Sequence, residues 1–252
     1  MKSLSSNIKN INIIQKGSKQ FFCIPIFRDT KWPMFLYGND ILFKQLSSIN
    51  KNNSQEVGEI VYKYVDNDFL DKIKYKWKKC TFITDEKKQI LLCAIDCYKE
   101  KNYIACVSIL QCQMNGICLD IYQYIENNNI LFDENSVYSI YSNLHPEDNA
   151  SKKEVLNIKM KSEKNKLLIA YNSINHGCLI WYVCIEYLYN EIYTSRKDYN
   201  RDQPCRNKIC HGIQTNFNSY EHAIKSILAI DLMISLGNAI VASNAENIKI
   251  KN

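Results

Sequence analysis

The sequence predicts a mostly α-helical protein: an antiparallel helical bundle over residues 84–252, preceded by an extension over residues 1–83 in which short strands can form. Three observations lead there. Seven glycines and four prolines in 252 residues leave few breaks for the many tight turns of a β-sandwich. The apolar runs after Thr84 have helical spacing or helical length. No strand-type signal separates one run from the next, which makes a bundle the default architecture. With 46% hydrophobic and 23% charged residues, the chain has a globular composition rather than a disordered one. No internal repeat is visible.

In the extension, Phe21-Phe22-Cys23-Ile24-Pro25-Ile26-Phe27 is a short apolar run of strand type. Pro25 confines it to a sheet edge, because proline cannot donate to a ladder. The polar stretch Ser47 to Ser54 reads as a loop. Phe69, Ile73 and Trp77 recur four apart, with Leu70 beside them, and predict one helical stripe.

In the bundle, Thr84 or Asp85 can cap a helix whose Ile90, Leu91, Ala94, Ile95 and Tyr98 share a face. After a break near Lys101-Asn102, the run from Tyr103 to Ile125 is apolar almost all round. A helix without a polar face belongs at the centre of its bundle. Asn127 to Asn135 reads as a polar connection, and His145 to Lys166 as a solvated one with room for a short helix. Leu179 to Ile192 predicts a third apolar helix. The last helix starts near Asn218, with Glu221 as its capping-box partner, and runs to about Ala242.

Charge, cysteine content and hydropathy narrow the setting. The net charge of +6 permits an anionic partner without requiring one. Eleven cysteines form no C-x-x-C, and most lie in apolar stretches, so the chain reads as a cytoplasmic protein using reduced thiols as small core residues. Residues Met1 to Lys16 lack the apolar block of a secretory signal. The apolar stretches Cys178 to Tyr193 and Ala223 to Ala242 carry Glu186, Lys225 and Asp231, which predicts buried helices rather than a membrane span.

Motifs for phosphate loops, nucleophile elbows, zinc proteases and dinucleotide binding are missing. Of four histidines, His145 beside Pro146 is expected to face solvent. His176 precedes a helix, and His222 lies in the first turn of the last one. His211 differs by its company. The chain has only four arginines, and Arg196, Arg201 and Arg206 all fall in the segment that ends at His211-Gly212. Arginine offers a planar fork that matches phosphate oxygens, whereas lysine is a point charge. Pro204 at the first helical position and Gly212 just past the end would bracket one or two turns. Arg206 and His211 lie roughly 140° apart on an ideal helix, with about 7.5 Å of rise. They can converge if the turn distorts near Gly212 or if a second subunit shares the cleft.

Arg206-Asn207-Lys208-Ile209-Cys210-His211-Gly212, followed by a polar linker and a long apolar helix, resembles the HEPN superfamily. Its Apea-like and abortive-infection branch, in which an Arg–polar…His motif usually ends in His-Gly, is the most similar. The likeness extends back to Tyr98-Lys99-Glu100-Lys101-Asn102-Tyr103 and the long helix after it, and covers about Thr84 to Val241. Cys205 replaces the Asn that often precedes the motif, and Asn115-Gly116 replaces a frequent Glu-Gly.

The resemblance implies a metal-independent endoribonuclease, without cofactors, acting as a homodimer. RNA would be cut by attack of its own 2′-hydroxyl, leaving a 2′,3′-cyclic phosphate and a 5′-hydroxyl. His211 would handle a proton near neutral pH, Arg206 would hold the scissile phosphate, and Asn207 would orient one of them. Arg201 and Lys208 would bind flanking phosphates. The biology implied is a toxin or antiphage effector, with an antitoxin or defence-system partner. Two rivals remain: a non-catalytic HEPN-like protein that binds RNA or nucleotide, and a helical interaction protein whose basic turn is only a capped helix end.

Overall fold

The computed structural model describes residues 22–33, 40–49, 53–174, 179–194 and 199–251. His176 and Arg196 lie outside the described residues. The protein is mostly helical, with no strand among the described residues. In chain order the elements are α1 (22–30), α2 (Asp40–Ser47), α3 (Ser54–Tyr64), α4 (Asn67–Lys79), α5 (Asp85–Lys99), α6 (Tyr103–Asn127), α7 (Glu134–Leu144) and α8 (Lys152–Asn157). They continue with a 3₁₀ turn (Lys159–Lys161), α9 (Glu163–Asn172), α10 (Leu179–Tyr187), a π turn (Leu188–Ile192), α11 (Arg206–Cys210) and α12 (Tyr220–Lys251).

The strand expected at residues 21–27 is a helix from residue 22 onward. Its buried residues Cys23, Ile24, Ile26 and Phe27 follow helical spacing, and a continuous apolar run fits either structure until a neighbour selects a face. The connection expected at 145–166 holds α8 and the start of α9, and α9 buries Asn165, Leu167, Leu168, Ile169, Ala170 and Tyr171.

The helix starts from Thr84 onward follow local chemistry. Thr84 Oγ1 accepts from Lys87 N at the start of α5. Asn102 Oδ1 accepts from Ala105 N at 3.2 Å to open α6, just after Lys101 turns the chain at φ 62°. Ser219 rather than Asn218 caps α12, accepting from His222 N at 3.1 Å. Glu221 is thereby released from the expected capping box, and Tyr62 Oη donates to it at 2.9 Å.

Helix α6 is central and packs against α5, α9, α11 and α12. Both α6 and α12 are long and apolar enough to cross a membrane by length and composition; 72% of the most apolar window of α12 is buried inside the fold. The core runs without a break from Cys23 to Ile240, so Trp32, Val61 and Trp77 of the first 83 residues share it with the bundle. Trp77 Nε1 donates to Asp231 Oδ1 at 2.9 Å, and Lys76 forms an ion pair with the same carboxylate. These contacts tie α4 to the middle of α12.

Candidate active site

Helix α11 is only five residues long, and its neighbours hold it at both ends. Pro204 sits before the cap residue Cys205 rather than at the first helical position. At the far end Gly212 adopts φ 69°, donates to Ile209 O at 3.0 Å, and lets Ile213 N reach Lys208 O at 2.8 Å. This is a Schellman ending, which glycine makes inexpensive because it has no Cβ to clash.

The loop before α11 is clamped by residues that sequence reasoning missed. The buried Gln214 accepts from Cys205 N at 3.0 Å through Oε1, and its Nε2 donates to Gln203 O at 2.9 Å and Arg201 O at 3.2 Å. Tyr187 Oη donates to Gln203 Oε1 at 3.2 Å. The imidazole of His222 reaches Arg201 O at 3.0 Å through Nε2 and Ser219 Oγ at 2.6 Å through Nδ1. A carbonyl can only accept, so Nε2 carries the proton and Nδ1 accepts from the serine. Burial lowers the His222 pKa, consistent with that neutral form. Nothing in the local sequence marks Gln203 or Gln214, because their partners lie 9 to 16 residues away along the chain, beyond the reach of helical or turn periodicity.

Within α11, Arg206 Nη1 donates to Asn207 Oδ1 at 3.0 Å, and Asn207 Nδ2 donates to Tyr193 O at 3.1 Å. Tyr193 follows the π turn, where its N–H reaches back to Leu188 O at 2.9 Å. Its hydroxyl meets Cys118 Sγ of α6 at 3.3 Å. Burial pushes the Cys118 thiol up to about 12 and the Tyr193 phenol well above its usual value. A chain of contacts thus runs from the central helix through Tyr193 and Asn207 to the guanidinium.

Arg206 and Asn207 are half-buried, whereas His211 is exposed at the end of α11. Arg206 Nε is buried without a hydrogen-bond partner, and so is Asn115 Oδ1 on α6. The backbone N–H of His211 donates to Asn207 O at 3.2 Å, so Asn207 and His211 lie one helical turn apart, with Arg206 one residue further back. The ammonium of Lys208 lies 5.5 Å from the Tyr199 ring centroid, a cation–π distance. Arg201 is exposed, and its carbonyl is the loop's main acceptor.

Beyond the motif, His145 is half-buried rather than solvent-facing. Its Nε2 meets Tyr189 Oη at 2.6 Å, and Tyr189 Oη in turn donates to Asn165 Oδ1. The ten described cysteines are free thiols. Six are buried, whereas Cys93 and Cys112 are exposed, so only some serve as core residues. Among the described residues no three His, Cys, Asp or Glu side chains gather as a metal-binding set. Comparisons with protein-family models, curated proteins and solved structures find no match to the chain.

Proposed function

We propose that the chain is a HEPN-like helical bundle that cleaves RNA without a metal, using the 2′-hydroxyl of the substrate as nucleophile. The observation that carries this reading is the Arg206–Asn207 pair, braced on Tyr193 O and one turn before an exposed imidazole. A guanidinium fixed by a neighbouring amide is preorganised, so little rearrangement accompanies charge build-up on a phosphate. In this reading Arg206 binds the scissile phosphate. His211 moves a proton between solvent and the 2′-hydroxyl or the leaving 5′-oxygen. Asn207 positions Arg206, and Arg201 and Lys208 hold the flanking backbone.

Two copies meeting at His211 would give one cleft with two motifs, and the exposed Ile213 beside it offers apolar surface for that contact. Growth arrest as a toxin or antiphage effector is the biological role that fits such an activity, in the cytoplasm and under control of an antitoxin or defence-system partner.

Incubating total RNA in chelator with the wild type, His211→Ala and Arg206→Ala tests the proposal. The wild type should produce fragments ending in 2′,3′-cyclic phosphate, and both variants should lose them. Equal degradation by all three proteins, or by none, would remove the catalytic reading. Gel-shift binding of RNA that persists without cleavage would favour the non-catalytic rival.

A further inference from the structure

We propose that Cys112 and Cys210 are a thiol pair that closes reversibly into a disulfide, tying α11 to α6 beside His211. The two sulfurs lie 3.8 Å apart although the residues are 98 positions apart in sequence. Cys112 is exposed on the central helix, and Cys210 is half-buried at the last position of α11. The six buried thiols are shielded from an oxidant, whereas this pair combines an accessible member with a partner on a different helix.

The chemistry needs a two-electron oxidant, and a peroxide is sufficient. Cys112, being exposed, is reached first: its thiol takes one oxygen to become a sulfenic acid, and the peroxide leaves as water. Cys210 then attacks that sulfur, the S–O bond breaks, and a second water departs. Two thiols lose two hydrogens and two electrons, and the peroxide takes them up. Burial and the neighbouring Cys112 raise the Cys210 thiol to about 11. Little Cys210 thiolate therefore meets the peroxide, which leaves Cys112 as the thiol oxidised first and Cys210 as the one that resolves the sulfenic acid.

A disulfide places its sulfurs about 2.05 Å apart. Closure therefore brings them together by roughly 1.8 Å beyond the thiol separation. Rotation of the two side chains supplies part of that approach, and the remainder falls on the five-residue α11 rather than on the 25-residue α6, which packs against four helices. His211 is the next residue in the chain. A catalytic group displaced by more than about 0.5 Å leaves productive geometry, so the linked form should be the inactive one. This consequence, unlike the linkage itself, rests on the ribonuclease reading.

The test treats the full chain with hydrogen peroxide, then with dithiothreitol. It follows linked peptides by mass spectrometry and RNA cleavage in parallel, for the wild type, Cys112→Ala and Cys210→Ala. The wild type should yield peptides joined through Cys112 and Cys210, lost on reduction and absent from both variants. Its cleavage should fall at least tenfold on oxidation and return on reduction, while Cys112→Ala stays insensitive. Oxidation of Cys112 to a sulfinic acid with Cys210 unmodified, or linkage confined to Cys93 and Cys97, would overturn the proposal. Linked protein that cuts as fast as reduced protein would overturn its regulatory half. Protein that forms the linkage on oxidation but cuts no RNA even when reduced would instead sink the ribonuclease reading and leave the thiol pair standing.

Discussion

The guanidinium of Arg206 is held by the side chain of the next residue, Asn207, through a 3.0 Å hydrogen bond from Nη1 to Oδ1. Consecutive side chains on a helix point about 100° apart and do not ordinarily face each other. The pair meets at the first two positions of α11, where Tyr193 O fixes the Asn207 amide from the other side. One carboxamide therefore orients the cation by its oxygen and is itself oriented by its nitrogen.

If the proposed ribonuclease activity is present, Asn207→Ala should lower its cleavage rate constant by roughly 100-fold, the scale on which small misplacements act. KM should change little, since Arg206 and the flanking cations remain. Asn207→Asp retains an acceptor for Arg206 but sets a carboxylate oxygen against Tyr193 O, so its loss should be intermediate. Single-turnover cleavage of a short RNA separates these effects.

Asp231 is the acceptor for Trp77 Nε1 and the counter-ion of Lys76. Asp231→Ala leaves a buried indole N–H and a largely buried ammonium without it, and should cost about 3–5 kcal/mol. Asp231→Asn keeps an acceptor for Trp77 and should cost less. Urea unfolding monitored by tryptophan fluorescence gives both values, and near-wild-type stability of the alanine variant would contradict the link between α4 and α12.

Gly237 gives the Phe82 ring its seat on α12. A Cβ at that position would overlap Phe82 Cζ and Cε1. Gly237→Ala should therefore destabilise by about 1–3 kcal/mol through overpacking, despite the roughly 1 kcal/mol that alanine gains in helix propensity. In the Phe82→Ala background the same substitution should become stabilising. A double-mutant cycle in urea reads the sign change.

Stability should fall in mild acid because of His222. Burial lowers its folded-state pKa below the ordinary imidazole value near 6.5. Between the folded value and about 6.5 the unfolded chain binds more protons, so stability rises with pH across that window. It is lost as pH falls through the window toward the folded value. His222→Gln, which retains an N–H for Arg201 O, should flatten this part of the profile. Thermal melts at a series of pH values measure it.

How much was legible depended on the range of each interaction. The stripe Phe69, Ile73 and Trp77 with Leu70 beside it, of which Leu70, Ile73 and Trp77 are the buried members, is readable from sequence, as are the Thr84 cap, the central run from Tyr103 and the Gly212 helix ending, because each depends on neighbours within about two turns. Residues 22–27 read as a strand from sequence and fold as a helix, since an apolar run does not reveal its period until other helices bury one face. The amino acid order by itself determined a helical protein with three of its four arginines gathered before His211. Only the tertiary structure decided that Tyr193 O, Gln214 and His222 frame that segment and that Cys112 stands against Cys210. Backbone propensity and side-chain periodicity act locally along the chain. A hydrogen bond between distant residues exists only once packing has brought their elements together.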